Sequence, residues 1–206
     1  MLHTKEIVLR DFKEADIETR IYWQTVETEW QLWDGPWEFE GLTGTERKNH
    51  LENFKASLVK RETYSGTDGE RRKRFQIDTR GTNARYIGWV ASYYINEHDV
   101  FTSRDTGRCA IGIDIPDMAS RGKGYAYQAL SLFINYLTEH GEQEICLQTW
   151  SGNERMVHIA EKIGFEECGR KKDLRLVRGK KYDALTFRLN RGKYADFCKR
   201  YMTDVY

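Results

Sequence analysis

Apolar residues recur along the chain with two spacings, which predict a fold that mixes strands and helices. Steps of three and four residues predict a helix from residue 14 to the Gly35-Pro36 pair, a second over residues 45–60, and others after residues 124 and 153. Alternating and β-branched-rich segments predict strands over residues 7–10, 74–78, 86–95, 109–115, 144–149, 166–177 and 182–189. Gly66 and Gly69 bound a predicted turn, and a short helix is expected at the C-terminus. This order predicts an α/β (α+β) fold, a mixed sheet with helices on its faces.

The strand over residues 109–115 has the clearest alternation. It sorts the side chains into two faces, Cys109, Ile111, Ile113 and Ile115 on one and Ala110, Gly112 and Asp114 on the other. Pro116 cannot donate a backbone hydrogen bond, so it ends the ladder. Asp114 is therefore a carboxylate placed among apolar neighbours on a central strand. It is a candidate base, and the alternative is an ion pair with an arginine across the sheet.

Composition and charge narrow the classes of function. The 206 residues contain 33 Lys and Arg against 32 Asp and Glu, a net charge of +1, so nucleic acid and anionic membranes are not expected partners. The length and the two prolines predict one domain over residues 1–206. The four cysteines are far apart and form no C-x-x-C pair, so no metal site is expected. Without an apolar leader or spanning segment, the chain is expected to be cytoplasmic.

A glycine-rich turn follows the predicted strand and opens a helix. Gly122 and Gly124 let the backbone approach a ligand closely, while the free N–H groups and dipole of the helix start favour an anion. Arg121 and Lys123 add positive charge. The G-x-x-x-x-G-K-S/T loop is absent, and Tyr127 fills the last position of G-x-G-x-x-G/A, which excludes the dinucleotide motif. An ordinary strand-to-helix loop is the alternative.

Two motifs carry a resemblance to a known family. The turn, Arg121-Gly122-Lys123-Gly124-Tyr125-Ala126, fits Q/R-x-x-G-x-G/A, and the helix after Asn153 ends in Glu161-Lys162-Ile163-Gly164-Phe165, similar to EK-L/I-GF. With the strand pair around residues 169–185, they resemble the GNAT superfamily of N-acetyltransferases, in its branch of ribosomal-protein N-terminal acetyltransferases. The resemblance covers residues 7–189.

The resemblance implies a GNAT-like fold, a mixed, mostly antiparallel twisted sheet with helices on both faces and splayed central strands. It also implies acetyl-CoA as co-substrate, with its pyrophosphate at the turn and its pantetheine arm in the gap between the splayed strands. The cofactor-binding residues implied are Ile113, Ile115, Arg121, Gly122, Lys123, Gly124, Tyr125, Ala126 and Asn153. Asn153 is also suited to cap the helix that follows it.

The reaction implied is direct acetyl transfer to a primary amine in a ternary complex. The acceptor class stays open among a small molecule, a polyamine and a protein N-terminus. The tyrosine that protonates the CoA thiolate in many family members is replaced by Ala160, and Met156 stands where the ribosomal branch has a serine. A thiol with a pKa near 8.5 leaves fairly well as thiolate, so the absence of that donor need not abolish transfer. The candidate donors are Ser151, Tyr125 and Tyr182.

The residue that would deprotonate the acceptor amine is either Asp114 or one of two glutamates, Glu27 and Glu29, which would act through water. The alternative for the glutamates is an ordinary place on the solvated face of a helix, which is more common.

Tryptophan is concentrated in one region, with four of the six indoles between residues 23 and 37. Trp23 and Trp30 are expected in the core. The acceptor-binding residues expected, by charge and cation–π contact, are Glu29, Trp33, Asp34, Trp37 and Trp150. The rival function is a non-catalytic acyl-CoA-binding or sensing module, which the missing tyrosine favours. A homodimer is left open.

Overall fold

The computed structural model describes residues 2–63, 71–103 and 107–202, and the predicted turn between Gly66 and Gly69 lies outside them. The α-helices in this part of the chain are α1 (Asp16–Thr25), α2 (Gly44–Thr63), α3 (Tyr125–Glu139), α4 (Glu154–Ile163) and α5 (Arg191–Tyr201). The strands are β1 (Leu2–His3), β2 (Ile7–Arg10), β3 (Arg74–Thr79), β4 (Tyr86–Ile95), β5 (Phe101–Thr102), β6 (Arg108–Asp114), β7 (Ile145–Trp150), β8 (Phe165–Val177) and β9 (Lys180–Leu189). Short 3-10 helices lie at Glu29–Leu32, Pro36–Glu38 and Met118–Ser120.

The strands form one mixed sheet in the order β1-β2-β3-β4-β6-β7-β9-β8, with β5 beside β4. Among the described strands, β6 and β7 form the one parallel pair. Val90 of β4 packs into the main core with α3, α4 and α5, whereas Trp89 points to the face that carries α1. The predicted fold class, with helices on both faces, is confirmed. No described helix is both long and apolar enough to cross a bilayer.

β6 and β7 are paired only where they begin. Their ladder stops at Ile111 and Leu147, although β6 continues to Asp114 and β7 to Trp150. Over the same stretch β6 stays paired with β4, and β7 with β9. The two central strands therefore splay, as expected, and on the β7 side no described strand lies beside the edge of β6 from residue 112 onward.

The first helix is shorter than predicted, because α1 ends at Thr25 and not at Gly35. The indole N–H of Trp30 donates to the carbonyl oxygen of Trp23 at 2.7 Å. In a continuous helix residue 30 would lie about 10 Å further along the axis. The bend brings both indoles onto Trp89, with ring centroids 6.2 and 5.5 Å apart, so burial of three indoles outweighs helix propensity. Trp23 and Trp30 are buried, as predicted.

Gly88 sets the approach of β4 to β6 beside Asp114. A Cβ at residue 88 would lie 2.0 Å from the carbonyl oxygen of Asp114, a distance that backbone atoms cannot tolerate. A side chain there would push the two strands apart where β6 leaves β7.

We expect Gly88→Ala to lower the free energy of unfolding by about 1–3 kcal/mol, because the added methyl overpacks a central strand pair. Urea denaturation measures the change. Gly112→Ala on β6 is the matched control, since its Cβ meets nothing within 4 Å and its stability should change little. Equal losses in the two variants would contradict the close approach at Gly88.

Candidate active site

A cavity of about 1350 Å³ joins the glycine-rich turn, the gap between β6 and β7, and the 3-10 segment over residues 29–38. Small-molecule sites commonly measure about 300–1,000 Å³, so this cavity has room for two substrates. Its wall includes the far ends of the splayed strands, residues 112–115 and 147–150, and one side of α4.

The turn before α3 offers backbone N–H groups to this cavity. Gly124 is the N-cap of α3 with φ of +81°, and Gly122 has φ of +74°, values that residues with a side chain rarely adopt. Among the described residues no side chain caps the helix, and its first turn contains no acidic residue. The unsatisfied N–H groups and the positive end of the helix dipole therefore form a site suited to an anion.

The two basic residues of the turn face different surroundings. Arg121 donates from Nε to the carbonyl oxygen of Ile115 at 2.9 Å, and its guanidinium is paired with the Glu29 carboxylate. Lys123 lies outside the main cavity, in a smaller pocket with Arg80 and Arg85. The charge of Arg121 is thus neutralised within the protein, and the turn relies on its backbone N–H groups.

Glu29 connects the 3-10 segment to both the turn and α4. Besides Arg121, its carboxylate accepts from Trp33 Nε1 at 2.7 Å and lies 3.5 Å from Arg155. Partial burial raises the pKa of Glu29, but the hydrogen bonds from Arg121 and Trp33 outweigh it and hold the pKa below its ordinary value. The Glu29 carboxylate is therefore suited to hold the 3-10 segment against the turn and α4. It is less suited to act as a base or to bind the acceptor.

The carbonyl oxygen of Trp33 is a second anchor. Trp150 Nε1 donates to it at 2.8 Å, and Asn153 Nδ2 donates to it at 3.1 Å. Asn153 Oδ1 accepts from the backbone N–H of Met156 at 3.2 Å, so the predicted helix cap is confirmed. β7 and α4 together fix the position of residue 33 and, with it, of its neighbour Asp34.

The indole faces of the 3-10 segment already carry cations. Arg155 lies over the Trp33 ring at 4.4 Å, and Arg175 lies over the Trp37 ring at 4.1 Å. Trp37 also meets Trp150 edge to face, with centroids 6.3 Å apart. An acceptor amine was expected to stack on Trp33 and Trp37. One face of each of these rings is instead covered by an arginine of the chain itself.

Asp34 and Asp114 both line the cavity, and each carboxyl group has a perturbed pKa. Asp34 is exposed to the space of the cavity, whose walls surround its carboxyl group, whereas Asp114 is half-buried. Desolvation and the charge of Asp34 raise the pKa of Asp114 well above its ordinary value, against the effect of Arg20 and Arg74. Desolvation and the charge of Glu38 raise the pKa of Asp34.

Two of the expected catalytic residues lie beside the cavity wall and not in it. The Ser151 hydroxyl accepts from the backbone N–H of Asp183 at 3.0 Å, and the Tyr182 ring packs against Trp150 with centroids 4.9 Å apart. Neither is among the described lining residues. The other expected site residues in the wall are Ile113, Ile115, Arg121, Gly122, Gly124, Tyr125, Ala126, Asn153, Glu29, Trp33, Trp37 and Trp150.

Tyr93 and Gln148 belong to the site although they were not expected there. The Tyr93 hydroxyl donates to Gln148 Oε1 at 3.2 Å, and Gln148 Nε2 donates to the carbonyl oxygen of Asp99 at 3.0 Å. Both line the cavity. A glutamine inside the apolar strand over residues 144–149 was the available sequence signal, because a buried amide needs partners.

Comparison with known proteins agrees with this geometry. Residues 6–166 match the model of the acetyltransferase (GNAT) domain family. No curated protein sequence is significantly similar to the chain.

Solved structures share the fold at low sequence identity. Spermidine N-acetyltransferase from Vibrio cholerae, in complex with CoA and spermine, is 16% identical, with 92% of this chain and 98% of that chain covered at a TM-score of 0.61. An acetyltransferase (GNAT family) from Bacillus anthracis is 17% identical, with 91% and 96% covered and a TM-score of 0.61. A protein from Bacillus halodurans is 15% identical, with 98% of both chains covered and a TM-score of 0.62.

We expect Glu29→Gln to lower the free energy of unfolding at neutral pH by about 1–3 kcal/mol, because charge-assisted hydrogen bonds are lost. A carboxylate whose folded pKa is lowered stabilises the protein above its unfolded pKa, about 4.3, and this contribution disappears as the pH falls through the folded pKa. The difference between variant and wild type should therefore shrink in acid, as measured by urea denaturation at several pH values.

Glu27→Gln is the control for this measurement. The Glu27 carboxylate accepts one described hydrogen bond, from the backbone N–H of Met118 at 3.1 Å, which an amide oxygen can also accept. A Glu29→Gln loss no larger than that of the control, or one that persists unchanged in acid, would argue against the anchor.

Proposed function

The chain belongs to the acetyltransferase (GNAT) family and is an N-acetyltransferase, and from this premise we propose that it transfers the acetyl group of acetyl-CoA directly to a primary amine. The observation that carries the proposal is one cavity that joins three features of the described residues: a helix start without a side-chain cap, a strand edge without a partner strand, and the carboxyl groups of Asp34 and Asp114. These are the three kinds of partner that a diphosphate, a pantetheine amide chain and an ammonium group require.

The turn over residues 121–126 is proposed to hold the pyrophosphate of acetyl-CoA. A Cβ added at Gly122 or Gly124 would meet nothing within 4 Å, so this surface is open to a ligand. The N–H groups at the start of α3 would donate to phosphate oxygens. Lys123 and its pocket neighbours add positive charge on the outer side of the turn.

The edge of β6 is proposed to hold the pantetheine arm. Ile113 and Ile115 lie where β7 has left β6, so an extended amide chain could pair there, as in strand addition. The carbonyl oxygen of Ile115 already accepts from Arg121 Nε, so Ile113 would be the main contact. In this proposal Asn153 shapes the gap from the α4 side, since its amide holds the Trp33 carbonyl.

Release of CoA is proposed to rely mainly on the thiol itself. Ala160, at the family's usual tyrosine position, is fully buried and offers no proton. Of the three expected donors Ser151, Tyr125 and Tyr182, Tyr125 is the one that lines the cavity. A thiolate with a pKa near 8.5 departs at neutral pH without full protonation in the transition state.

The acceptor nitrogen is proposed to enter next to Asp34 and Asp114. Around this end the rim is apolar, since Phe101, Val100 and Leu174 are 74%, 53% and 52% exposed and line the cavity. A small molecule, a polyamine and a protein N-terminus each remain candidates. The spermine-bound relative makes polyamines the first class to test.

Residues 1–206 are proposed to form one domain, of which the family model spans residues 6–166. A cytoplasmic location and a homodimer stay predictions.

Thiol release from acetyl-CoA, measured with a panel of small amines, polyamines and peptide N-termini, tests the function. We expect release with at least one class of amine. Binding of acetyl-CoA without turnover for every class would favour the non-catalytic acyl-CoA-binding module, the alternative that Ala160 supports.

We expect Gly124→Asp to weaken acetyl-CoA binding at least tenfold, because a carboxylate at the start of α3 repels phosphate. Isothermal titration calorimetry measures the affinity. Gly124→Asn keeps the shape without the charge, and Gly141→Asp places the same residue at another positive-φ glycine, beyond the opposite end of α3. A Gly124→Asp affinity equal to that of both controls would remove the pyrophosphate from this turn.

A further inference from the structure

Two positively charged side chains of β8 line the cavity beside the apolar rim. They are Lys171 and Arg175, on either side of the rim residue Leu174. Lys171 donates from Nζ to the carbonyl oxygen of His98, which is an uncharged partner. None of the ion pairs among the described residues includes Lys171 or Arg175, although Arg170 on the same strand is paired with two carboxylates. The cavity wall therefore carries two positive charges that no described carboxylate neutralises.

A β-bulge brings these two residues close together. Lys171 lies opposite Ala184, and Arg175 lies opposite Tyr182. Three residues of β8 therefore face the single residue Asp183 of β9. Positions two apart on a strand are about 7 Å apart, whereas positions four apart would be about 13 Å apart. Lys171 and Arg175 thus share one face of the hairpin at roughly the shorter of these separations.

Asp183 holds the bulge in place. Its carboxylate accepts from the backbone N–H of Asp173 at 3.0 Å and from Arg170 Nη1 at 2.5 Å. Asp173 has φ of +54°, a left-handed conformation that is uncommon for a residue with a side chain. Such a conformation persists when surrounding contacts fix it, and bulges often aim side chains at an active site. The placement of the two positive charges is therefore built into the hairpin.

Arg175 is held from a second side by an aromatic ring. Its guanidinium carbon lies 4.1 Å from the centre of the Trp37 ring. A guanidinium above a ring keeps N–H donors at its edge, and these donors match the two oxygens of a carboxylate. Trp37 therefore restricts the position of Arg175 and leaves donors for a ligand in the cavity.

The cavity thus presents both signs of charge to an acceptor. Asp34, Glu38 and Asp114 line it and suit an ammonium group, whereas Lys171 and Arg175 suit an anionic group. A polyamine matches the carboxyl groups alone, and its second ammonium group would be repelled by the β8 cations. An acceptor that carries both charges matches both sets, and the repulsion adds to its selection.

We propose that the acceptor is an amine that also carries an anionic group, and that Arg175 and Lys171 bind this group while the amine lies beside Asp34 and Asp114. This inference rests on the proposed acetyl transfer and names the class of its acceptor. Amino acids and their derivatives belong to this class, as do peptide N-termini with an acidic side chain nearby. Polyamines, although the first class to test, are poorer acceptors, and Arg175 determines this specificity.

A matched series of amines tests the class. The series consists of alkylamines of equal chain length whose far end is a methyl group, an ammonium group or a carboxylate, in several chain lengths. We expect kcat/KM for thiol release to be at least about tenfold higher with the carboxylate than with the ammonium end, at the chain length that fits best. Peptides that differ only in an Asp, Asn or Lys after the N-terminal residue form a second series. A preference for the anionic member in either series supports the inference and identifies the source, and a preference in neither overturns it.

Arg175→Gln tests the residue. The ratio of kcat/KM between the carboxylate and the methyl end should fall by about tenfold, because the charge-assisted hydrogen bonds are lost. Arg175→Lys should keep part of the ratio, since it keeps the charge without the planar fork. A ratio within one variant cancels any general loss of activity. An unchanged ratio in Arg175→Gln would overturn the role of Arg175.

Lys181→Gln is the matched control, because Lys181 is an exposed cation of the same hairpin and is not among the described lining residues. It removes the same charge and should keep the wild-type ratio. Thermal melts establish that each variant is folded.

Calorimetric titration of the amines into the complex with CoA measures binding without turnover. The carboxylate end should bind at least about tenfold more tightly than the ammonium end in wild type, and this difference should shrink in Arg175→Gln. Equal affinities in wild type would overturn the inference. The proposed function fails separately: no turnover with any amine overturns the acetyl transfer, whereas turnover that is as fast with the methyl or ammonium end as with the carboxylate overturns the acceptor class alone.

Discussion

The separation of β6 from β7 after Ile111 is the constraint on which the site depends. β6 keeps its ladder with β4 as far as Asp114, and β7 keeps its ladder with β9 as far as Trp150, so the sheet opens without losing either strand. On the side that faces the gap, the backbone of β6 beyond Ile111 has no described partner strand, which is costly unless a ligand or water satisfies it. A sheet that opens at one defined place thereby gains a polar edge inside a largely apolar wall.

The segment over residues 29–38 closes the other side of this opening. It is attached to the turn by the Glu29–Arg121 pair and to β7 and α4 through the Trp33 carbonyl. The same contacts reach the proposed pyrophosphate site and the proposed acceptor site. Both substrates therefore share one scaffold, which suits direct transfer in a ternary complex, where the reacting atoms must be held at a fixed separation.

Local patterns predict much of this molecule, and tertiary contacts account for what they miss. Alternation along residues 109–115 predicts β6 because the isoleucines on one face of the strand pack into the main core. The glycines of the turn are also predictable, since Gly122 and Gly124 adopt the positive φ angles that glycine favours. The early end of α1 depends on Trp30 reaching Trp23 and Trp89, which no local pattern records. The pattern around Asp114 marks it as an unusual carboxylate, but that Asp34 lines the same cavity depends on the path of the 3-10 segment, which no local pattern records.

A crystal structure of the protein with acetyl-CoA bound tests the central claim most directly, because it locates the pantetheine arm. The account predicts that the arm pairs with the backbone of residues 112–115 between β6 and β7, with the pyrophosphate at the start of α3 and the thioester facing Asp114. An arm bound outside the gap, with the edge of β6 still unpaired, would contradict it.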